Sequence, residues 1–239
     1  MAEQHTLRVI ARIHSDFPTK FGIPRQSGLV EELRSAVVFE PEYRNPDALR
    51  GLEGFSHLWL IWQFSQAVRE SWSPTVRPPR LGGNVRMGVF ATRSPSAPTP
   101  SDCPVSGWSG SSSIPSGGRC SGWRGADLMD GTPIYDVKPY LPYADCRPEA
   151  VGASPASPRR PASRVECPLE LLEPVEESRR AALLGVLAQD PRPTYQHDPD
   201  RVYGLAFGGW EVKFTVAEDV LTVREIAPGG GSPEPRVQS

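Results

Sequence analysis

Several charged residues stand beside glycine and proline turns, where the backbone holds a side chain in a fixed position. The arginines that follow or flank such turns are Arg25, Arg77, Arg80 and Arg93. A guanidinium group fixed in this way suits two-pronged binding of a carboxylate or a phosphate, with ordinary surface charge as the competing interpretation. The carboxylates that bracket the tight turn at 131–133 are Asp127, Asp130 and Asp136. They are candidates for catalysis or binding, and simple turn chemistry is the alternative for Asp130.

Other signatures of chemistry are missing from the sequence. It contains no phosphate-binding glycine loop, no nucleophile elbow and no HExxH motif. The four cysteines, at 103, 120, 146 and 167, lack metal-ligand spacing, so we expect reduced thiols and no metal site. His57 lies within the most apolar run and is expected to be a core or packing residue rather than a ligand.

The elements that must position these side chains are mostly short strands. Alternating or β-branched segments predict strands at 7–13, 36–40, 55–64, 86–92 and 133–137. The run at 55–64 is apolar on both faces, which predicts a central strand buried on both sides. Asn45 followed by Pro46 predicts a capped helical turn. With 27 prolines and 22 glycines, the composition favours β structure over a helical bundle.

The C-terminal part of the chain has its own pattern. A helix is predicted at about 174–189, with Arg179 and Arg180 on its exposed side. Strands are predicted at 202–207, 210–216 and 220–226. The composition predicts a linker at 148–166 and a disordered tail at 229–239. The sequence therefore predicts a first domain at 1–147 and a small α+β domain at 167–228.

Composition excludes several classes of protein. The 239 residues include 26 lysines and arginines against 28 aspartates and glutamates, so a heavily basic nucleic-acid binder is excluded. No run of about 18 apolar residues occurs, so we expect no transmembrane helix and no membrane partner. The polar start, Met-Ala-Glu-Gln-His, lacks the pattern of an export signal, which predicts a cytoplasmic protein.

Five short blocks of the sequence together are specific enough to name a family. They are FGIPRQ at 21–26, FSHLW at 55–59, VRPPR at 76–80, GVFATRSP at 88–95 and DGTPIYDVKPY at 130–140. In this order they resemble the TsaA/TrmO family of S-adenosylmethionine-dependent tRNA methyltransferases. The resemblance resumes in DPRPTY at 190–195 and the strands after it, which are similar to the family's bacterial C-terminal extension.

The resemblance implies a fold, a cofactor and a reaction. The implied fold is mainly β, a single-sheeted β-barrel that binds S-adenosylmethionine (S-adenosyl-L-methionine), usually as a homodimer, with a small α+β C-terminal domain. The implied reaction methylates N6 of threonylcarbamoyladenosine next to the anticodon of threonine tRNAs, which makes tRNA the expected partner. The residues expected to bind the cofactor are Pro24, Arg25, Gln26, Arg93, Ser94, Pro95, Asp130, Gly131, Thr132, Pro133, Lys138 and Tyr140.

The same resemblance gives the charged side chains candidate roles. Asp127, Asp130 and Asp136 are candidates for taking the proton of the acceptor nitrogen or for contacting the donor's ribose, and both roles stay open. The candidate contacts to a tRNA phosphate or to the threonyl carboxylate are Arg77, Arg80 and Arg192, with Arg25 and Arg93 as alternatives. In the C-terminal part, Tyr195 and Trp210 are the aromatic residues expected to contact RNA together with Arg192.

Residues 96–124 depart from the family and from the patterning around them. These 29 residues hold nine serines, five glycines and four prolines, the composition of a flexible linker, yet they also contain two tryptophans. The family continues Phe-Arg-Pro-Asn-Pro-Ile-Gly-Leu-Ser where this chain has SAPTPSDCP at 96–104. The first two bases of each codon for these residues can serve as the second and third bases of a codon in a reading frame shifted by one base. In that frame all nine positions can encode the family sequence.

The same shifted frame recovers two alternating strands that the written frame lacks. It lets 108–114 encode Leu-Glu-Arg-Ile-Glu-Phe-His and 120–123 encode Val-Leu-Arg-Val. We infer a one-base loss near Pro95 and a one-base gain near Arg124, either as a sequencing error or as a genuine lesion. A gene sequence whose codons do not permit the shifted reading would refute this inference.

A genuine lesion would change the expected function. Without two strands the barrel opens, its edges are unpaired and the cofactor site is damaged. The chain would then be an inactive relic of the family that still binds RNA but does not bind S-adenosylmethionine. A third alternative is a methyltransferase for another small acceptor, which would bind the same donor and ignore tRNA.

Overall fold

The computed structural model describes residues 5–24, 26–66, 71–78, 85–103, 105–113, 119–125, 127–151, 164–192, 196 and 198–230. Within these ranges the fold is mainly β, as predicted, with thirteen strands and three short helices. The strands of the N-terminal part are β1 (Ala11–His14), β2 (Arg34–Phe39), β3 (His57–Gln63), β4 (Thr75–Val76), β5 (Met87–Gly88), β6 (Ser101–Asp102), β7 (Val105–Ser113), β8 (Arg119–Arg124) and β9 (Pro133–Pro139).

Seven of these strands form one antiparallel sheet. Its order is β6-β3-β7-β8-β2-β1-β9, and β9 also pairs with β3. Strands β4 and β5 form a separate pair, Thr75 opposite Gly88. A short helix, α1 (Pro142–Asp145), follows β9. The core of the sheet is built from alternate positions, with Ile13, Val37 and Ile134 fully buried.

Strand β3 is buried on one face only. Leu58 and Leu60 are fully buried, whereas Trp59 and Ile61 on the other face are half-buried. The prediction of a strand buried on both sides is therefore wrong. His57, at the start of the strand, is exposed, and its Nδ1 lies 2.9 Å from Ser56 Oγ, so the core assignment of this histidine is also wrong.

Two other predicted elements differ in extent. Strand β1 begins at Ala11 rather than at residue 7, because the residues before it lie mostly exposed outside the ladder. The predicted strand at 86–92 pairs only over Met87–Gly88 and then becomes a 3-10 turn, Val89–Ala91. The capped turn is confirmed, since Asn45 Oδ1 accepts a hydrogen bond from Asp47 N at 3.0 Å.

The anomalous segment contains two strands in its written sequence. Strand β7 pairs with β3, with Gly107 opposite His57, and strand β8 pairs with β2. The two strands also pair with each other, with a register shift between Trp108 and Ser111. The prediction that the written frame forms no strands here is wrong. Ladder hydrogen bonds join backbone groups, which serine and glycine supply as well as any other residue.

The C-terminal part forms a second sheet with two helices. Its elements are β10 (Arg164–Glu166), α2 (Leu169–Leu172), α3 (Glu177–Ala188), β11 (Tyr203–Phe207), β12 (Trp210–Ala217) and β13 (Val220–Pro228). The order is β10-β13-β12-β11, and β10 runs parallel to β13. Strand β10 lies within the stretch predicted to be a linker, which corrects that boundary. Residues 152–163 and 231–239 lie outside the described part of the chain.

A loop of the N-terminal part shares the hydrophobic core of the C-terminal sheet. Phe17, Val30 and Leu33 belong to the same buried cluster as residues of α3 and β11–β13, and the rings of Phe17 and Phe207 are 5.4 Å apart. Arg179 on α3 contacts Asp16 at 3.2 Å. Arg180 Nε donates to Val175 O at 2.9 Å, so these two arginines hold tertiary and backbone contacts instead of forming a free surface.

Candidate active site

A cavity of about 440 Å³ lies beside the turn that carries Arg93. Its walls come from one stretch of the chain: Val89, Phe90, Thr92, Arg93, Ser94, Ala97, Pro98, Thr99 and Ser101. Val89 is buried, and its carbonyl oxygen accepts hydrogen bonds from Thr92 N at 3.1 Å and Thr92 Oγ1 at 2.8 Å. Small-molecule sites have volumes of about 300–1,000 Å³. Arg93 and Ser94, both predicted cofactor contacts, thus face a cavity of suitable size, and Pro95 beside them is half-buried.

Arg93 is available to a ligand because its internal partner is weak. Arg93 Nη1 lies 3.9 Å from Asp102 Oδ1, at the limit of an ion pair. The guanidinium side chain is 66% exposed, whereas the Asp102 side chain is 17% exposed. Such a contact contributes about 0–1 kcal/mol, so a ligand anion can replace it at little cost.

Asp127 is the buried carboxylate of this neighbourhood. The pKa of Asp127 is raised to about 6, chiefly by burial and in smaller part by the charge of Asp102, while a hydrogen bond to its own backbone and the charge of Arg93 oppose the rise. Its Oδ1 is buried and has no hydrogen-bond partner among the described residues. A buried acceptor without a donor is costly, which marks the position as one where a ligand or a proton completes the hydrogen bonding.

Asp130 contacts the residues at the end of β1. Its Oδ1 accepts a hydrogen bond from Ser15 N at 3.1 Å and lies 3.4 Å from His14 Nδ1. The turn after it is structural: Gly131 has a φ of +75° and Thr132 Oγ1 donates to Met129 O at 2.7 Å. Pro133, which follows, pairs with Arg12 of β1.

Asp136 and Lys138 form a separate pair on β9. Lys138 Nζ lies 2.7 Å from Asp136 Oδ2, and Val137 N donates to Asp136 Oδ1 at 2.8 Å. On one side of β3, Asp136 of β9 lies opposite Ile61. On the other side, Asp102 of β6 lies opposite Trp62. Residues opposite each other in an antiparallel ladder share a face, and successive residues point to opposite faces. The Asp136–Lys138 pair therefore points away from the face that Asp102 occupies.

Tyr140 lies in an aromatic group on the Lys138 side. Its ring centroid is 5.9 Å from that of Trp59 and 6.3 Å from that of His57. Trp59 Nε1 donates to Asp145 Oδ2 at 2.9 Å, and this hydrogen bond lowers the pKa of Asp145. Trp59 and Asp145 were not predicted as site residues. Trp59 could have been included, because it is the last residue of the FSHLW block.

The remaining predicted residues are spread over the molecule. Pro24 is buried, Gln26 is exposed and Arg77 is exposed, while Arg25 and Arg80 lie outside the described residues. Arg192 is 8% exposed, and its Nε lies 3.0 Å from Asp190 Oδ1. The Arg192 guanidinium is therefore occupied inside the fold, and its contact with tRNA stays a prediction.

The aromatic neighbours proposed for Arg192 are no better placed. Trp210 is half-buried against the C-terminal core, and Tyr195 lies outside the described residues. Asp102, by contrast, was missed by sequence reasoning. It stands in the anomalous segment, where no motif marks it, and only the fold brings it to Arg93.

Two family profiles together match most of the chain. The profile of the tRNA-methyltransferase O N-terminal domain matches residues 12–146, and that of the TrmO C-terminal domain matches residues 165–229. The chain belongs to the tRNA-methyltransferase O family. The GVFATRSP and DGTPIYDVKPY blocks, which carry Arg93, Asp130, Asp136 and Lys138, lie within the first match.

Named relatives and solved structures agree with this membership. The tRNA (adenine(37)-N6)-methyltransferase of Escherichia coli K12 is 37% identical over 92% of this chain and 96% of its own length. The enzyme of that name from Eikenella corrodens is 40% identical over 72% of this chain and 97% of its own length. A crystal structure of TrmO from Pseudomonas aeruginosa superposes with a TM-score of 0.77 at 31% identity, covering 96% of this chain and 99% of that one.

The cavity residues fit S-adenosylmethionine, the cofactor named for related methyltransferases. Val89 and Phe90 line the cavity with apolar side chains, and Ser94 lines it with a hydroxyl group. Such a lining suits the aromatic base and the hydroxyl groups of this ligand. The described residues contain no cluster of three His, Cys, Asp or Glu suited to a metal, and no helix among them is long and apolar enough to cross a bilayer.

Proposed function

We propose that this protein methylates N6 of threonylcarbamoyladenosine, next to the anticodon of threonine tRNAs, with S-adenosylmethionine as the methyl donor. Membership of the tRNA-methyltransferase O family supports a tRNA (adenine-37 N6)-methyltransferase, the activity named for its relatives. The threonylcarbamoyl acceptor is the finer part of the proposal. The cation at Arg93, beside the cavity, supports an acceptor that carries a carboxylate.

Asp127 is the residue on which the chemical proposal depends. Of the three candidate carboxylates, it alone has a buried oxygen without a partner among the described residues. Asp130 is engaged by Ser15 and Asp136 by Lys138. A base with a pKa of about 6 is ionised at neutral pH and is still basic enough to accept a proton. Asp127 is therefore proposed to take the proton that N6 must lose.

Arg93 and the cavity walls are proposed to hold the ligands in place. The cofactor, when bound, supplies an electrophilic methyl group on a positively charged sulfur. Reaction with nitrogen requires close alignment of donor and acceptor, which a fixed guanidinium and a rigid turn can provide. The turn is rigid because Val89 is buried and Thr92 makes two hydrogen bonds to it.

The architecture and assembly of the protein are also part of the proposal. We propose that the N-terminal sheet closes into a barrel, which is supported by the pairing of β9 with both β1 and β3. We also propose the homodimer that the family resemblance implies and the cytoplasmic location that the polar start of the sequence predicts. A sedimentation measurement of the purified chain would test the homodimer.

Substitution of Asp127 tests the proposed base. Asp127→Asn keeps the size of the side chain and removes its basicity, so we expect kcat to fall by at least a hundredfold with the dissociation constant of S-adenosylmethionine nearly unchanged. The kcat/KM of the unaltered protein should rise with pH through about 6, the pKa of Asp127 in the ligand-free chain. Asp200→Asn, at an exposed carboxylate of the C-terminal part, is the control and should keep its kcat. Unchanged turnover in Asp127→Asn would remove this residue from the chemistry.

A further inference from the structure

Two large aromatic side chains are exposed side by side next to the cavity. Trp72 is 52% exposed and Phe90 is 80% exposed. Their ring centroids lie 6.4 Å apart and their planes are inclined by 26°, so they present a nearly parallel pair of faces. Phe90 is also part of the cavity wall. Exposed aromatic surface of this kind is characteristic of a binding site, because burying it on a partner is favourable.

The two rings are held in place by backbone contacts. Ser73 N, next to Trp72, donates to Ser96 O at 3.2 Å, and Val89 N, next to Phe90, donates to Pro74 O at 3.0 Å. Strands β4 and β5 pair between the two segments. Since the segments are joined on both sides, the aromatic pair is arranged before any partner arrives, which lowers the entropy cost of binding.

The chain around the aromatic pair is basic. Residues 71–101 include four arginines and no aspartate or glutamate, although the whole protein has more acidic than basic residues. Of these arginines, Arg77, Arg86 and Arg93 are exposed, and Arg80 lies outside the described residues. Cations interleaved with exposed aromatic rings are the composition of a surface that binds single-stranded nucleic acid.

We infer that Trp72 and Phe90 form a stacking surface for an unpaired nucleobase of the tRNA anticodon loop, with Arg77 and Arg86 facing the phosphates. The inference rests on the proposed function, which brings that loop to the neighbouring cavity. A second copy of this chain is the competing occupant. A symmetric contact would set the basic stretch against itself, whereas RNA supplies the opposite charge, so the charges favour RNA.

Substitution of Trp72 tests the stacking surface, since Trp72 is not part of the cavity wall. The probe is a 17-nucleotide anticodon stem-loop of threonine tRNA, with binding followed by fluorescence anisotropy on the full chain. We expect Trp72→Ala to raise the Kd about tenfold, the size of one lost base stack, and Trp72→Phe to recover most of the affinity. Leu169→Ala, at an exposed apolar residue of α2, is the control and should bind as the unaltered chain does.

Calorimetry with S-adenosylmethionine alone keeps this inference separate from the proposed function. We expect the Kd of S-adenosylmethionine to change less than twofold in Trp72→Ala. Equal RNA binding by Trp72→Ala and the unaltered chain would overturn the stacking surface, as would no RNA binding by the unaltered chain. Dissociation of a dimer by Trp72→Ala with unchanged RNA affinity would assign the surface to a second copy. Failure of the unaltered chain to bind S-adenosylmethionine would instead count against the proposed function.

Discussion

At the scale of single residues, Asp127 links the candidate site to stability. Its pKa in the folded protein is about 6, above its usual value of 3.8, because burial disfavours the charge. The neutral carboxyl therefore favours the folded state. Its contribution to the free energy of unfolding is complete below about pH 3.8 and is lost as the pH rises through about 6.

Asp127→Asn should therefore stabilise the protein at pH 8 by about 1–3 kcal/mol, because a tenfold change in an acid dissociation constant corresponds to about 1.4 kcal/mol. At pH 4 the variant and the unaltered protein should differ little. Urea unfolding at the two pH values measures the difference, with Asp200→Asn, at an exposed carboxylate, as control. The same difference at both pH values would show that the charge on Asp127 does not oppose folding.

Asp102 is expected to compete with ligand anions for Arg93. Asp102→Asn removes the charge near that guanidinium while keeping the side chain's size, so the KM for tRNA should fall by up to about fivefold, the value of a weak ion pair. Steady-state kinetics at low ionic strength measure it, and Asp47→Asn, at an exposed residue on another turn, is the matched control. An increased KM in Asp102→Asn would show that this carboxylate assists binding.

How far the sequence predicts these residues depends on the signal each one carries. Arg93 and Ser94 are predicted as site residues because they stand in a motif beside a proline turn, and their role stays a prediction. Asp102 could not be predicted, since its role comes from the distance that the fold sets. The buried ion pair of Arg192 could not be predicted, because a charged residue beside prolines has the same local sequence whether it is exposed or buried.

At the scale of elements, the loop before β2 is positioned by its contact with β11. Gly22 has a φ of +86°, and a Cβ there would lie 2.1 Å from Leu205 Cδ1. The loop carries the FGIPRQ block, so this contact fixes the place of Pro24 and Gln26 relative to the C-terminal sheet.

Gly22→Ala should reduce the free energy of unfolding by about 2–4 kcal/mol, from backbone strain and the clash together. Gly28→Ala is the matched control, since Gly28 has a φ of +80° with nothing within 4 Å of the added Cβ. It should cost only the backbone part, about 1–2 kcal/mol. Chemical denaturation compares them, and equal losses would mean that the contact with Leu205 does not restrain the loop.

The apolar run at 55–64 predicted where a strand lies, but it did not predict how deeply each face of that strand is buried. The run at 55–64 does form a strand, but the side chains on its second face are only half-buried. On that face Trp59 is covered in part by α1 and by the ring of Tyr140. In the segment 96–124 the absence of alternation predicted no strands, yet β7 and β8 form. Their partners β3 and β2 are present on both sides, so the backbone groups of β7 and β8 are paired without an alternating apolar pattern.

At the scale of the whole molecule, the two parts of the chain are joined through one core. Phe17, Val30 and Leu33 are nearly fully buried among residues of the C-terminal part, and Gly208 N donates to Asp16 O at 2.8 Å. Local sequence patterns predicted two domains because they cannot show that a polar loop inserts apolar residues into a distant sheet.

A fragment of residues 1–151 should therefore be less stable than the full chain. Removal of the C-terminal sheet exposes the three apolar side chains, and each fully buried side chain of this kind is worth about 1.5–3 kcal/mol. We expect a lower Tm and binding of a hydrophobic dye, both measured against the full chain. A fragment that unfolds cooperatively at the same temperature without binding the dye would show that the two parts are independent.

The most direct test of the central claim is transfer of the methyl group itself. The purified chain is incubated with S-adenosylmethionine labelled in its methyl group and with threonine tRNA that carries threonylcarbamoyladenosine, and the digested nucleosides are analysed by mass spectrometry. A chain in which 96–104, 108–114 and 120–123 carry the residues of the shifted frame is assayed beside it. We expect labelled methyl at N6 of that nucleoside with the written chain, and none with tRNA that lacks the threonylcarbamoyl group. Methylation by the restored chain alone would contradict the claim and identify the written chain as an inactive relic.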